Sequence, residues 1–208
     1  MSTPQSIVVK PSGKALGADI EGIDVSKPLD DALFQSLHQA WNDHLVLRLR
    51  GQELSDAQLI AFSKKFGTLD LAAVSSSGER EIPEYPQINV ISNVKVNGKS
   101  IGSLGSYEAV WHTDMSYNPE PPKMSCLYSL EVPDHGGNTS FVNMYAAYED
   151  LPSDLKEIVD NYDCKHDATR NSAGELRKGY IDSDDPRETA GAIHPLAPVH
   201  PETGRRVI

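Results

Sequence analysis

Cysteine is scarce in this chain: two residues among 208, Cys126 and Cys164, stand far apart and have no CxxC partner. Both residues therefore read as buried thiols, with a disulfide between them the disfavoured alternative. Long apolar runs are also missing, and none approaches the ~20 residues that a membrane-spanning helix needs. The opening residues, MSTPQSIVVKPSGK, lack the basic-then-apolar layout of a secretory signal, so a cytoplasmic location is expected. Basic residues are in short supply, 19 against 30 acidic ones, for a formal net charge of −11. Phosphate backbones are bound through clustered Lys and Arg, so nucleic acid is not expected as a partner. Internal repeats and low-complexity tracts are absent as well. What remains is 38% hydrophobic and 24% charged, the balance of an ordinary globular protein, with a length that suits a single domain over residues 1–208, or one domain plus a small appendage.

Helical periodicity comes first along the chain. Leu33, Phe34, Leu37, Ala40, Trp41 and His44 recur at three- and four-residue steps, which predicts a helix over Asp30 to His44. A strand is expected at Leu45 to Leu49, ending at Gly51. Ser55 and Gln58 form a capping-box pattern ahead of a second helix that carries Leu59, Ile60 and Phe62 and ends at Gly67. Asp70 to Glu84 and Gly102 to Ser106 read as flexible stretches, Gln87 to Val94 as a strand, and Asn97-Gly98 as a hairpin turn. Further strands are expected at Lys123 to Val132, Thr139 to Val142 and Asp163 to Ala168, with a short helix at Ser153 to Tyr162. Asn171 to Arg187 is polar and reads as a surface excursion. Short strands with helices gathered towards the front suggest a helix-buttressed β-sandwich or barrel.

Chemistry concentrates in Trp111-His112-Thr113-Asp114. In an extended segment, residues i and i+2 share a face. His112 and Asp114 can then offer an imidazole nitrogen and a carboxylate oxygen to one metal ion. Two histidines and one carboxylate on one face of a metal leave open positions, the geometry of non-haem Fe(II) oxygenases. An H-x-D triplet by itself is weak evidence, since such triplets also occur by chance.

The chain resembles the taurine dioxygenase and 2,4-D dioxygenase (TauD/TfdA) family over nearly its whole length. The resemblance rests on Leu16-Gly17-Ala18-Asp19-Ile20, Gly22-Ile23-Asp24 and Phe66-Gly67 at the front. WHTDMSYNPEPP (Trp111 to Pro122) and VPDHGGNTSFVNMYAAYEDLP (Val132 to Pro152) carry it in the centre, and HPLAPVHPETGR (His194 to Arg205) at the back. It implies a mainly β fold with flanking helices, a double-stranded β-helix of the jelly-roll, cupin-like kind. It also implies Fe(II) held by His112 and Asp114, with 2-oxoglutarate as cosubstrate and O2 as oxidant. The outcome would be hydroxylation of a small organic substrate with release of succinate and CO2. Thr139 is implied to hydrogen-bond a carboxylate of 2-oxoglutarate, although it also reads as a strand-start hydroxyl after a Gly-Gly turn. Trp111 is expected to be a packing anchor beside the site. A carboxylate at Asp114, where related halogenating enzymes keep a small residue, favours hydroxylation.

Departures from the family pattern matter too. Taurine dioxygenases carry histidines just after Phe-Gly, whereas this chain has Thr68-Leu69-Asp70-Leu71, and an asparagine that contacts taurine corresponds to Glu108. Asp70 and Glu108 would repel a sulfonate, which disfavours taurine and leaves another organic acid or an amine-bearing substrate; Glu108 also reads as a solvated loop residue. Family members continue beyond HPETGR, and that continuation supplies the second iron-binding histidine and an arginine for 2-oxoglutarate. Incompleteness at the C-terminus is therefore expected, with exposed strand edges that invite self-association. By spacing alone His166, His194 and His200 are alternatives for the second histidine, each disfavoured by its place in the family pattern. Two further readings compete: a catalytically incomplete or degenerate protein of the same fold, and a zinc hydrolase, which the lack of HExxH disfavours.

Overall fold

A computed structural model describes residues 6–72, 80–104, 111–171, 174 and 176–208. The chain divides into two compact units. The first comprises the described parts of Met1–Lys65, Leu127–Tyr162 and Pro195–Ile208, and the second those of Phe66–Cys126 and Asp163–His194.

The first unit is built on β1 (Val8–Pro11), β2 (Ala18–Glu21) and β3 (Leu47–Leu49). β2 runs antiparallel to β1 and parallel to β3. Alternation in β2 buries Ala18 and Ile20, while Asp19 points the other way and pairs with Arg48, its cross-strand neighbour, at 2.5 Å. Parallel neighbours need a crossover, and helix α1 (Asp31–His44) provides it. Asp30 caps α1 by accepting from the Leu33 amide at 2.8 Å. Its apolar stripe, Leu33, Leu37 and Ala40, is buried, with Leu37 only 1% exposed. The helix closes on Leu45, whose φ of +68° carries the left-handed turn and whose amide donates to Trp41 O. The strand expected from Leu45 therefore begins two residues later, at Leu47.

Helix α2 (Asp56–Ser63) starts with the expected capping box: Ser55 accepts from the Gln58 amide and Gln58 accepts from the Ser55 amide. It gives way to a 3₁₀ turn over Lys64–Phe66, ahead of Gly67. A short helix that the sequence reading missed, α3 (Met144–Glu149), begins at Asn143, whose side chain accepts from the amides of Tyr145 and Ala146. α4 (Ser153–Asn161) lies within the expected range. The turn His200 to Arg205 packs on both α1 and α3. Glu202 meets Asn42 at 3.1 Å and His38 at 3.2 Å. Thr203 meets the Tyr145 hydroxyl at 2.9 Å, and the Arg205 guanidinium lies 4.1 Å from the Tyr145 ring centre.

The strands expected at Lys123 to Val132 and Thr139 to Val142 are not formed; both stretches lack ladder pairing among the described residues. Strand-like side chains fit a pleated surface, but a strand exists only where a partner offers its own N–H and C=O groups. Without one, Leu127, Leu130 and Val132 are 64%, 82% and 74% exposed. Tyr128 anchors this stretch to the first unit's own segment before α2: its hydroxyl accepts from the Leu54 amide at 3.0 Å.

Among the described residues the second unit holds three two-stranded pairs. β4 (Ile91–Ser92) is much shorter than the strand expected over Gln87 to Val94, and it pairs parallel with β7 (Ser103–Leu104). β7 falls in a stretch read from the sequence as flexible. β5 (Lys95–Val96) and β6 (Lys99–Ser100) form the Asn97-Gly98 hairpin, with φ values of +51° and +79° at the turn. Two positive φ angles are what a tight turn matching the strand twist requires, and Asn and Gly accept them at least cost. β8 (Asp163–Asp167) pairs with β9 (Gly191–Pro195). Their backbones approach so closely at Gly191 that a Cβ there would lie 2.1 Å from His166 O. Cys126 is exposed and Cys164 half-buried, so the expectation of two buried thiols is corrected. Among the described residues no helix is long and apolar enough to cross a membrane.

Candidate metal centre

His112 and Asp114 come together as their spacing predicts. His112 and Thr113 lie outside helix and strand, and the chain then enters a turn from Asp114 to Tyr117. His112 Nε2 lies 3.1 Å from Asp114 Oδ1, and both side chains are substantially exposed, at 40% and 56%. Two donors bound at right angles to one ion at about 2.1 Å stand about 3.0 Å apart, so the spacing fits a shared metal. The donor set fits as well, since imidazole and carboxylate are the ligand types that non-haem Fe(II) takes.

Support comes from a residue the sequence did not single out. Ser125 Oγ donates to Asp114 Oδ2 at 2.7 Å, fixing the oxygen that faces away from His112. Beyond Asp114 the turn is held from two sides. His194 Nε2 lies 2.9 Å from Ser116 O and 3.0 Å from Asn118 O. Arg177 Nη1 donates to the Tyr117 hydroxyl at 2.9 Å, its guanidinium carbon 4.4 Å from the ring centre. A histidine that opens a Pro-containing motif carries no local signal that it will reach a turn 76 positions earlier.

The other histidines weighed as ligands are occupied differently. His166 Nε2 lies 3.2 Å from Cys164 Sγ, and its ring meets that of His194 edge-on at 5.1 Å. Burial, and secondarily the neighbouring His194, push the His166 imidazole below its ordinary pKa. His200 Nδ1 accepts from the amides of Glu202 and Thr203, which makes it part of its own turn. Among the described residues no three His, Cys, Asp or Glu side chains converge as a metal site.

The remaining sequence candidates stand as follows. Thr139 belongs to the first unit and is exposed, outside helix and strand, after Gly136-Gly137. Asp70 belongs to the second unit and is exposed, and Glu108 lies outside the described residues. Trp111 is 69% exposed, so it is not the packing anchor that was expected. An indole beside a solvent-facing imidazole and carboxylate has little apolar surface to pack on.

The family described as taurine catabolism dioxygenase TauD, TfdA matches residues 9–208. Pentalenolactone F synthase of Streptomyces avermitilis is 31% identical over 94% of this chain and 68% of its own length. The (S)-phenoxypropionate/alpha-ketoglutarate-dioxygenase of Delftia acidovorans is 31% identical over 96% of this chain and 69% of its own length. Among solved structures, a taurine dioxygenase from Burkholderia xenovorans superposes with a TM-score of 0.70 at 28% identity. That match covers 98% of this chain, which in turn spans 62% of the Burkholderia protein. This chain belongs to the taurine catabolism dioxygenase TauD, TfdA family.

Proposed function

We propose that the chain provides the His-x-Asp part of the iron centre of a 2-oxoglutarate-dependent dioxygenase acting on a small organic molecule. The observation that carries the reading is the His112–Asp114 pair, its donor atoms 3.1 Å apart and its carboxylate braced by Ser125. His112 and Asp114 would hold Fe(II). When bound, the iron supplies oxidation of the substrate by O2, coupled to conversion of 2-oxoglutarate to succinate and CO2. The chain's own contribution is to present one imidazole nitrogen and one carboxylate oxygen side by side and to fix the other carboxylate oxygen.

Membership of the family supports the rest of the reading. Both compact units belong to one dioxygenase domain built as a double-stranded β-helix. Thr139 binds a carboxylate of 2-oxoglutarate, and Asp70 and Glu108 stand near the substrate, where their charge disfavours a sulfonate such as taurine. The relatives include an (S)-phenoxypropionate/alpha-ketoglutarate-dioxygenase, which supports an organic acid as substrate. The third protein ligand is not found beside His112 and Asp114 among the described residues. We place the protein in the cytoplasm, with homo-oligomers favoured by the exposed side chains of Leu127, Leu130, Val132, Phe141 and Val142.

The test is an anaerobic titration with Fe(II) and 2-oxoglutarate, following the metal-to-ligand charge-transfer band of the chelate. A saturable band that disappears in Asp114→Ala supports the reading. A band of equal strength in Asp114→Ala and His112→Ala would overturn the ligand assignment. Absence of a band would point to the second reading, a protein of the same fold that lacks catalytic competence.

A further inference from the structure

We infer that His194 is a positioning residue for the metal-ligand pair: it holds the turn that begins at Asp114 and thereby sets where that carboxylate stands. The inference deepens the metal reading proposed above and rests on it. The turn needs holding. Met115 has a φ of +48°, a backbone conformation that a side chain such as methionine keeps only where its surroundings impose it. Within the turn itself the Asn118 amide donates to Met115 O at 3.0 Å.

His194 supplies what the turn lacks. Its Nε2 reaches Ser116 O at 2.9 Å and Asn118 O at 3.0 Å, so a single N–H is shared between two carbonyls on either side of Tyr117. Carbonyl oxygens only accept, which fixes the proton of His194 on Nε2 and makes the residue a donor here. Tyr117 itself is held by Arg177. The base of the clamp is firm, because His194 lies on β9 and β9 is locked to β8 where Gly191 meets His166 O. Ser116 is two residues from Asp114, so a displaced Ser116 carbonyl swings the carboxylate away from His112. Residues that orient ligands in this way typically change metal affinity by about ten- to a hundredfold when removed.

The experiment compares the full chain with His194→Ala and His194→Gln, the latter keeping an N–H donor at similar reach. Amide hydrogen exchange is followed in a peptide covering residues 112–118, with a peptide from α1 as internal reference, and Mn(II) binding is followed by loss of the free-ion resonance. In His194→Ala, exchange at 116–118 should rise roughly five- to tenfold while α1 stays unchanged, as expected for one lost shared hydrogen bond. Mn(II) affinity should fall about tenfold, and His194→Gln should recover most of both. Unchanged exchange in His194→Ala, or a rise shared equally by α1, overturns the inference. So does unchanged Mn(II) affinity beside a loosened turn. Failure of the unmodified chain to bind Mn(II) would sink the metal reading instead, and the exchange comparison would still decide whether His194 holds the turn.

Discussion

Ser125 Oγ donates to Asp114 Oδ2 at 2.7 Å, which leaves Oδ1 alone to face His112 Nε2. The hydroxyl thus decides which carboxylate oxygen is presented. Ser125→Ala should weaken Mn(II) or Fe(II) binding by about tenfold. Ser125 is exposed, so stability should stay within about 0.5 kcal/mol of the parent. Calorimetric titration together with a thermal melt separates the two effects. Equal affinity in the variant would show that the bond is incidental.

Gly191 tests the β8–β9 contact. Glycine-to-alanine changes at compatible positions stabilise slightly, by about 0.4–1 kcal/mol. Here the added Cβ would sit 2.1 Å from His166 O and 3.2 Å from Asp167 Cα, both backbone atoms that cannot step aside. Gly191→Ala should therefore destabilise by about 2–4 kcal/mol, with the strands forced apart. Urea unfolding gives the number. A variant as stable as the parent would mean that the two strands are not this close.

A pH dependence follows from His166. Its imidazole is held below the ordinary histidine value, by burial first and by His194 second. The folded state therefore resists protonation more than the unfolded chain does. Above the unfolded pKa, near 6.5, both states are neutral and the contribution to stability is complete. As the pH falls through 6.5 towards the lowered folded value, the unfolded state gains a proton first and stability is lost. The melting temperature should drop across this window, and His166→Asn should flatten that drop. An identical pH profile in the variant would assign the drop to another group.

The sequence was most readable where one residue's chemistry decides a local structure. Asp30 caps α1, Ser55 and Gln58 build the capping box of α2, and Asn97-Gly98 turns the β5–β6 hairpin, each through bonds or φ angles confined to a few neighbours. His112 and Asp114 belong to the same class, because two residues only two positions apart need no distant partner to meet. Long-range partners were not readable. The stretches around Leu130 and Phe141 have the composition of strands, yet forming a ladder depends on a neighbour that no local pattern names. Ser125, 11 residues from Asp114, and His194, 78 from Ser116, act across folds of the chain and left no periodic trace. Helix α3 was missed for a milder reason: six residues are too few for a periodic stripe, and Asn143 was its one local mark.

The turn His200 to Arg205 has a consequence for how the chain acquires its shape. Glu202 engages Asn42 across a separation of 160 positions, and Arg205 engages Tyr145 and Glu149 across more than fifty. Closing so wide a loop costs entropy before it returns any contact energy, which makes this docking a late and slow event in folding. A nascent chain carries α1 with its His38 and Asn42 face uncovered until the turn has been synthesised. Over that interval the helix keeps its Asp30 cap, its buried stripe and its local side-chain pairs, but lacks the cover that Glu202 brings to Asn42 and His38.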